Sequence, residues 1–469
     1  MPINLSNDPA DAFVTLWDRL PDALFSGVEA HGWYEDAALA ARAAKIRDEV
    51  LLTGVVGEAL LNELVGGDLP LTFTAARGID GALEYANPYS GLYDPPQRLY
   101  AVVRRYEETA RLNDKTDGAL LFACCFPGRP SGVPAKQEFF GLVRVPEAEW
   151  LQVDHGRIDT VSDVSVDRFS RRAASVLIGC TPFAENYDDF ELAKTRRGIH
   201  LPYRGYRIAP IAAVLRPRIR LVLDKLEAQG AQVGVVPEAS LSDELRDAWV
   251  GALADREDEG LEWMLIGTGP VGRLEPPANR AVLVDRIGRT LIEQDKMHDF
   301  TLTRSQLRAW KLDGRLGSFR RAEDIQRGDR LQIRESDLGR IAILVCQDVN
   351  ERDVATRLAA CGVSHVFVPI FSPAVADMSA TPPAASWVIH SALRHATDVG
   401  AWLVIATCLA VARAMHPTAH AHATSAVVGP RDDRDDWAQT TRYCEASEAT
   451  DVCVFRVPVA LVSRFVDYL

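Results

Sequence analysis

Three side chains that could do chemistry together each follow a short apolar run in the sequence. Glu238 comes after the run 233–237, which ends in Pro237. Lys296 comes after the run starting at Leu291, and Cys346 follows Ile341 to Val345. Because side chains at strand ends reach a cleft at the edge of a sheet, we expect the three to meet there.

Taken singly, each residue has an ordinary explanation, since a cysteine that ends an apolar run is commonly a packing residue and a lone charge is commonly solvated. Together they form a chemical set. A thiol needs a base to become a thiolate, and an ammonium group stabilises the oxyanion that forms when sulfur attacks a carbonyl carbon. The set of Glu238, Lys296 and Cys346 therefore predicts a cysteine nucleophile that cleaves a carbon–nitrogen bond.

The segments around these residues resemble the three motifs of the nitrilase, or carbon–nitrogen hydrolase, superfamily, which centre on Glu, Lys and Cys in this order. The resemblance covers about residues 170 to 465 and does not extend to the residues before it. The matching segments are 235–238, 279–298, 339–348, 361–369, 387–408 and 425–430.

The resemblance implies a four-layer α-β-β-α sandwich and a role for each residue. Cys346 would attack the substrate carbon and form an acyl-enzyme, while Glu238 would take the thiol proton and later activate water. Lys296 and the backbone N–H of Gln347 would hold the oxyanion. The resemblance also implies a homodimer or larger homo-oligomer. The chemistry that it implies requires neither an organic cofactor nor a metal.

Many members of this family carry a second glutamate between the lysine and the cysteine. Glu323, with Gly328 following it, is the candidate, and Glu335 is the competitor. Beside Arg320 and Arg321, Glu323 could equally be a surface charge.

The sequence departs from the family pattern just after the nucleophile. Asp348 is present, but the residues at 349–352 differ from the aromatic-Pro-Glu element that many relatives have. We expect the substrate pocket to be shaped by five residues on this side of the cleft: Gln347, Asn350, Glu351, Phe371 and Ser372. The predicted substrate is a small compound with an amide or carbamoyl group, in preference to a nitrile.

The elements that position these residues alternate between helices and short strands, which predicts an α/β fold of mixed sheets with helices on their faces. A helix is expected over 211–229, and a hairpin is expected at 281–293. The G-x-G-x-x-G stretch at 267–272 is followed by Pro276 and Pro277, and so predicts a turn and not a dinucleotide site. The segment 181–206 is long and could be a lid or a partner surface.

The first part of the chain predicts an accessory α+β domain of unknown role over 1–168, followed by the hydrolase domain over 169–469. Helices are expected up to about residue 66, and turns and loops over 67–96. Strands are expected at 99–103, 119–126 and 139–145.

Composition excludes some partners. With 52 Lys and Arg against 65 Asp and Glu, the net charge of −13 disfavours nucleic acid. The apolar run 399–412 is too short to span a bilayer, and the acidic first 20 residues do not resemble a secretory signal. The 8 cysteines are too dilute for a disulfide framework, so we expect a reduced, cytoplasmic protein.

Two other functions remain open from the sequence. The hydrolase fold could be a catalytically silent module in which the N-terminal region mediates binding or regulation. Alternatively, the same three residues could transfer the acyl group to an amine and so form an amide.

Overall fold

A computed structural model shows how these segments fold. It describes residues 5–25, 27–84, 118–122, 136, 139–146, 152–158, 175–197, 203–256, 260–272, 274–336, 338–380, 383–430 and 441–460. Within these ranges, every helix is too short or too polar to cross a bilayer.

The chain divides into two compact units, 1–149 with 360–362 and 460–469, and 150–359 with 363–459. The first division lies earlier than the predicted boundary after residue 168. The reason is a strand that the sequence did not mark. Gln152–Arg157 pairs in parallel with Arg330–Ser336, in the middle of the second unit, and so belongs to that unit.

The described part of the first unit contains five α-helices. They are α1 (Pro9–Arg19), α2 (Val28–Glu35), α3 (Ala37–Thr53), α4 (Glu58–Val65) and α5 (Leu69–Glu84). The prediction of turns over 67–96 is therefore wrong for α5. This helix buries Phe73, Ala76, Ile79 and Leu83 at helical spacing. Gly78 suits the packing, because a Cβ there would lie 2.7 Å from the carbonyl oxygen of Ala43 in α3.

The core of the first unit is aromatic and includes Phe13, Phe73 and Phe140, none of which is exposed to solvent. Two strands complete the described part, β1 (Gly118–Phe122) and β2 (Leu142–Pro146), paired antiparallel. Asp80 of α5 accepts hydrogen bonds from the backbone N–H groups of Gly141 and Leu142 and so fixes the start of β2. The predicted strand at 99–103 lies outside the described residues.

The second unit is built on two large sheets. The six-stranded sheet has the order β10-β9-β8-β7-β4-β21, and the seven-stranded sheet has the order β20-β19-β18-β15-β14-β13-β3. The strands of the first are β4 (Ser175–Cys180), β7 (Val233–Val235), β8 (Trp263–Val271), β9 (Ala278–Asp285), β10 (Thr290–Asp295) and β21 (Cys453–Pro458). Those of the second are β3 (Gln152–Arg157), β13 (Arg330–Ser336), β14 (Gly339–Ile343), β15 (His365–Ile370), β18 (Trp402–Thr407), β19 (His422–Val428) and β20 (Thr441–Ala446).

Eight α-helices lie in the described part of the second unit, and several of them pack against a sheet. They are α6 (Ala212–Leu215), α7 (Arg218–Ala228), α8 (Asp243–Ala254), α9 (Arg304–Ala309), α10 (Asp313–Leu316), α11 (Arg352–Ala360), α12 (Trp387–Asp398) and α13 (Leu409–Met415). The central strands are buried along nearly their whole length, as expected for sheets covered on both faces. Gln294 of β10 links the sheets, because it bonds to the backbone of Arg330 and Gln332 in β13. The predicted four-layer α/β fold is confirmed.

Two local expectations need correction. The G-x-G-x-x-G stretch is not a turn from Gly267, since β8 continues to Val271 through a register shift that Gly267 accommodates at φ +92°. The helix expected over 211–229 is divided into α6 and α7, with Pro217 at the N-cap of α7.

A smaller four-stranded sheet of order β11-β12-β6-β5 accounts for much of the long segment at 181–206. Its strands are β5 (Phe190–Arg197), β6 (Tyr203–Pro210), β11 (Thr301–Leu302) and β12 (Arg321–Glu323). Two very short strands, β16 (Ala376–Asp377) and β17 (Ala384–Ala385), pair separately. Within this sheet, β12 ends at Glu323.

The structure also differs from the expectation of unpaired cysteines. Cys444 of β20 and Cys453 of β21 form a disulfide, with their Cα atoms 6.0 Å apart. Because β20 and β21 are edge strands of different sheets, the bond connects the seven-stranded sheet to the six-stranded sheet. Cys180, Cys346 and Cys408 are free and buried.

Candidate active site

Cys346 lies at a sharp turn where β14 leaves the sheet. Its backbone has φ +51°, in the left-handed region that non-glycine residues rarely adopt. A short 3₁₀ helix, Cys346–Asn350, begins at the same residue. The turn places the thiol at the carboxyl end of the strand, and only 2% of the residue is exposed.

Glu238 comes just after β7 and is held by a neighbouring loop. One carboxylate oxygen, Oε2, accepts a hydrogen bond from the backbone N–H of Phe371 at 2.8 Å. Phe371 follows β15, the strand beside β14 in the seven-stranded sheet. Glu238 therefore connects to both large sheets. Only 3% of the residue is exposed.

Lys296 follows β10 and joins two carboxylates. Its Nζ donates to Glu238 Oε1 at 2.8 Å and to Glu323 Oε2 at 2.5 Å. The side chain is 1% exposed. Because an ammonium group has three protons, these two bonds leave one N–H for a further acceptor.

The structure places Glu323, and not Glu335, beside the lysine. Glu323 also accepts from the backbone N–H of Phe300 at 3.1 Å. Glu335 instead bonds to buried Arg340, at 2.7 Å from its Nε. Of the two glutamates proposed from the sequence, Glu323 is the one brought to the site.

Asn279 is a member of the site that sequence reasoning missed. Its Nδ2 donates to Glu238 Oε1 at 2.8 Å and to Glu323 Oε1 at 3.1 Å. Its Oδ1 accepts from Thr268 Oγ1 at 2.7 Å. The signal available in the sequence was an amide near the start of the strand Ala278–Asp285, but sequence spacing alone does not say which way the amide points.

Asp348 connects the lysine segment to the cysteine turn. Its fully buried carboxylate accepts from the backbone N–H groups of Met297 and His298 and from that of Val345. The ring Nδ1 of His298 lies 3.0 Å from the same carboxylate. These bonds hold the residues flanking Lys296 and Cys346 in one rigid arrangement.

Burial and neighbouring charges set the protonation of the site. Burial raises the pKa of the Cys346 thiol well above its ordinary value, and the charge of Glu238 adds to this, although Lys296 opposes both. Burial alone would lower the pKa of Lys296, but the carboxylates of Glu238 and Glu323 outweigh it and hold that pKa well above normal. Burial also raises the pKa of Glu323 against the opposing charge of Lys296. The resting site thus holds a neutral thiol and a charged lysine.

One small pocket of about 20 Å³ is lined by five of these side chains: Glu238, Asn279, Lys296, Glu323 and Cys346. The rest of its wall is mainly apolar or aromatic, formed by Tyr206, Ile208, Ala239, Phe300, Leu302, Trp310 and Phe371. The rings of Phe300 and Trp310 are stacked, with centroids 6.0 Å apart. Lys296 is the one cationic side chain among the described lining residues.

Most of the substrate-binding residues expected from the sequence lie elsewhere. Phe371 lines the pocket, but Gln347 bonds to Glu351 at 2.8 Å. Asn350 Oδ1 accepts from Ser391, and Ser372 bonds to Thr407 and Pro373. Gln347 and Asn350 belong to the 3₁₀ helix that begins at Cys346, and this helix packs against α12.

One group with metal-ligand spacing exists in the described part of the chain. Ligand atoms of His298, Glu351 and Asp353 lie within 4.8 Å of one another. Glu351 also accepts a hydrogen bond from Gln347. None of the three lines the pocket beside Cys346.

Comparison with known proteins identifies similar structures but no similar sequence. No protein-family model and no curated protein matches the chain. Nit3 of Saccharomyces cerevisiae, a nitrilase-superfamily member, is 12% identical and matches 63% of this chain and 95% of its own, with a TM-score of 0.41. An amidase from Nesterenkonia sp. is 16% identical over 62% of this chain and 93% of its own, with a TM-score of 0.38. The NitFhit protein of C. elegans is 15% identical over 63% of each chain, with a TM-score of 0.40.

Proposed function

We propose that this protein hydrolyses a non-peptide carbon–nitrogen bond of a small amide or carbamoyl compound through an acyl-enzyme on Cys346. The observation that carries the proposal is that a buried Glu238–Lys296–Glu323 network lines the same pocket as the thiol of Cys346. The backbone at Cys346 has φ +51°. Such a network is costly to bury and has an evident use in proton transfer and charge stabilisation.

The first half of the reaction forms a thioester. The Sγ of Cys346 attacks the carbonyl carbon while its proton passes to Glu238, which supplies the base that a neutral thiol requires. The carbonyl oxygen becomes an oxyanion, stabilised by the remaining N–H of Lys296 and by the backbone N–H of Gln347. The C–N bond then breaks, and the leaving amine takes the proton from Glu238.

The second half releases the acid. Water attacks the thioester carbon and gives its proton to Glu238, and the tetrahedral intermediate again places its negative charge beside Lys296. The C–S bond breaks, and the thiolate recovers a proton from Glu238. Glu323 stays bound to Lys296 throughout and holds its ammonium in place.

The pocket supports a small, uncharged acyl group. Apolar and aromatic side chains form most of its wall, and its carboxylates would repel an anionic substrate. An amide or carbamoyl group, whose oxygen can accept from Lys296, suits this site better than a long or charged substrate.

The test is a panel of small neutral amides and carbamoyl compounds, with ammonia release measured for the wild type and for Cys346→Ala. We expect activity on part of the panel and its complete loss in the variant. Cys180→Ala, which removes another buried free thiol, is the matched control and should retain activity. Undiminished activity in Cys346→Ala would overturn the mechanism.

Intact-mass measurement separates hydrolysis from the other two functions. A small haloacetamide should label Cys346 in the wild type, whereas a silent module would leave it unlabelled. Adding an amine acceptor should leave the free acid as the main product, and a new amide would indicate acyl transfer instead.

A further inference from the structure

A second cavity of the second unit is much larger than the catalytic pocket and shares no residue with it. It is an open groove of about 670 Å³ beside the small sheet. Its polar lining residues are Arg204, Asp299, Thr301, Arg320, Gln326 and Arg327. We call this feature the arginine groove.

The groove is cationic on a chain that is strongly anionic overall. Three guanidinium groups face one carboxylate there, although the net charge of the protein is −13. Arg327 pairs with Asp299, so these two largely neutralise each other. The charges of Arg204 and Arg320 remain uncompensated by any described residue.

The two remaining arginines are presented with their donors available. Arg320 makes no hydrogen bond or ion pair with any part of the chain that the structure describes. The guanidinium of Arg204 lies over the ring of Phe319, 3.6 Å from its centroid, which leaves its edge donors free. Arg321 nearby is 8% exposed and bonds to the carbonyl oxygens of Leu316 and Gly205, which fixes another positive charge beside the groove.

We propose that the arginine groove binds a small molecule carrying at least two negative charges on phosphate or carboxylate groups. Guanidinium groups bind both kinds of anion through paired, charge-assisted hydrogen bonds. Thr301 and Gln326 add neutral polar groups at the same place. The site is separate from the proposed chemistry, because none of its residues lines the catalytic pocket.

The test is isothermal titration of the full-length protein at low ionic strength, with inorganic pyrophosphate in one arm and citrate in the other. Saturable binding is expected in at least one arm, and the arm that binds identifies phosphate or carboxylate as the ligand chemistry. Binding should weaken as salt rises, since the site is exposed.

Substitutions locate the binding. Arg204→Ala/Arg320→Ala should weaken it by about tenfold or more. Arg220→Ala removes an exposed arginine of α7 that is paired with Asp255, and it should leave binding unchanged. Cys346→Ala should also bind normally, which separates this site from the catalytic pocket. Absence of saturable binding in both arms, or equal affinity in the double variant, would overturn the proposal.

Discussion

Thr268 donates a hydrogen bond of 2.7 Å to the amide oxygen of Asn279, and this bond decides how the asparagine faces the site. With its oxygen held by Thr268, the amide can direct only its NH₂ group at the two glutamates. Each N–H then meets one carboxylate, so Asn279 and Lys296 together hold Glu238 and Glu323 side by side. Without these shared donors, the two neighbouring carboxylates would repel each other strongly.

Asn279→Asp should impair the reaction because it adds a negative charge to the site, whereas the shape of the side chain hardly changes. A third carboxylate would face Glu238 and Glu323, and one of the three would take up a proton. Loss of these bonds, at roughly 1–3 kcal/mol, predicts a fall in kcat/KM of about 10- to 100-fold. The variant should also shift the acidic limb of the pH–rate profile upward.

Two variants of Thr268 are the controls for this prediction. Thr268→Ser keeps the hydroxyl and should retain most activity, whereas Thr268→Val frees the amide to turn and should resemble a mild form of Asn279→Asp. An unchanged pH–rate profile in Asn279→Asp would contradict the proposed electrostatic role of the amide.

Lys296→Met should destabilise the fold as well as remove activity. The substitution leaves Glu238 and Glu323 buried without their shared cation. Removing one member of a buried ion pair costs about 3–5 kcal/mol in the free energy of unfolding. Urea denaturation at neutral pH measures this loss, which should shrink at lower pH as a carboxylate becomes protonated.

Lys225→Met is the matched control for Lys296→Met. Lys225 is 40% exposed and pairs with Asp451 at the surface, so its loss should change the free energy of unfolding by no more than about 1 kcal/mol. Equal effects of the two substitutions would show that the Lys296 network is not coupled to stability as its burial implies.

The bond between His298 and Asp348 predicts a dependence of stability on pH. The hydrogen bond to Asp348 raises the pKa of His298 above its usual value, although partial burial opposes the shift. A raised pKa in the folded state means that the protonated form stabilises the fold. This contribution is fully present below a pH of about 6.5 and is lost as the pH rises through the raised pKa.

His298→Asn should therefore lower the free energy of unfolding more under mildly acidic than under alkaline conditions. Urea denaturation of the wild type and the variant across that range gives the difference curve. His390→Asn, a change at an exposed histidine of α12, should give a curve parallel to that of the wild type. A difference for His298→Asn that is constant with pH would contradict the predicted charge coupling.

What the sequence could and could not predict follows from the range of the interactions involved. Strand exits are visible locally, so Glu238, Lys296 and Cys346 could be singled out from their positions after apolar runs. Asn279 could not, because its role depends on Thr268 in the neighbouring strand. The helix Leu69–Glu84 was not predicted because it contains glycines, which are typical of turns. The structure explains Gly78 by the close approach of α3.

The pocket wall was predicted least well, for a similar reason. The sequence predicts that the residues after Cys346 face the substrate, because they follow the candidate nucleophile directly. The 3₁₀ helix that contains Gln347 and Asn350 instead packs against α12, and the small sheet supplies Tyr206 and Ile208 from about 140 residues earlier. Contacts between distant segments leave no local pattern, whereas strand and helix periodicity does.

The disulfide between Cys444 and Cys453 predicts a redox-dependent stability. It closes a loop with a sequence separation of 9, and closing a loop of that length stabilises by about 2–3 kcal/mol when the bond forms. Cys444→Ser should therefore lower Tm under oxidising conditions and have little effect once a reductant is present. Thermal unfolding with and without dithiothreitol, for the wild type and the variant, checks this. A contradicting result would be a wild-type Tm that the reductant leaves unchanged, together with a lower Tm of the variant in both buffers. The packing of Cys444, and not the covalent bond, would then be what stabilises the fold.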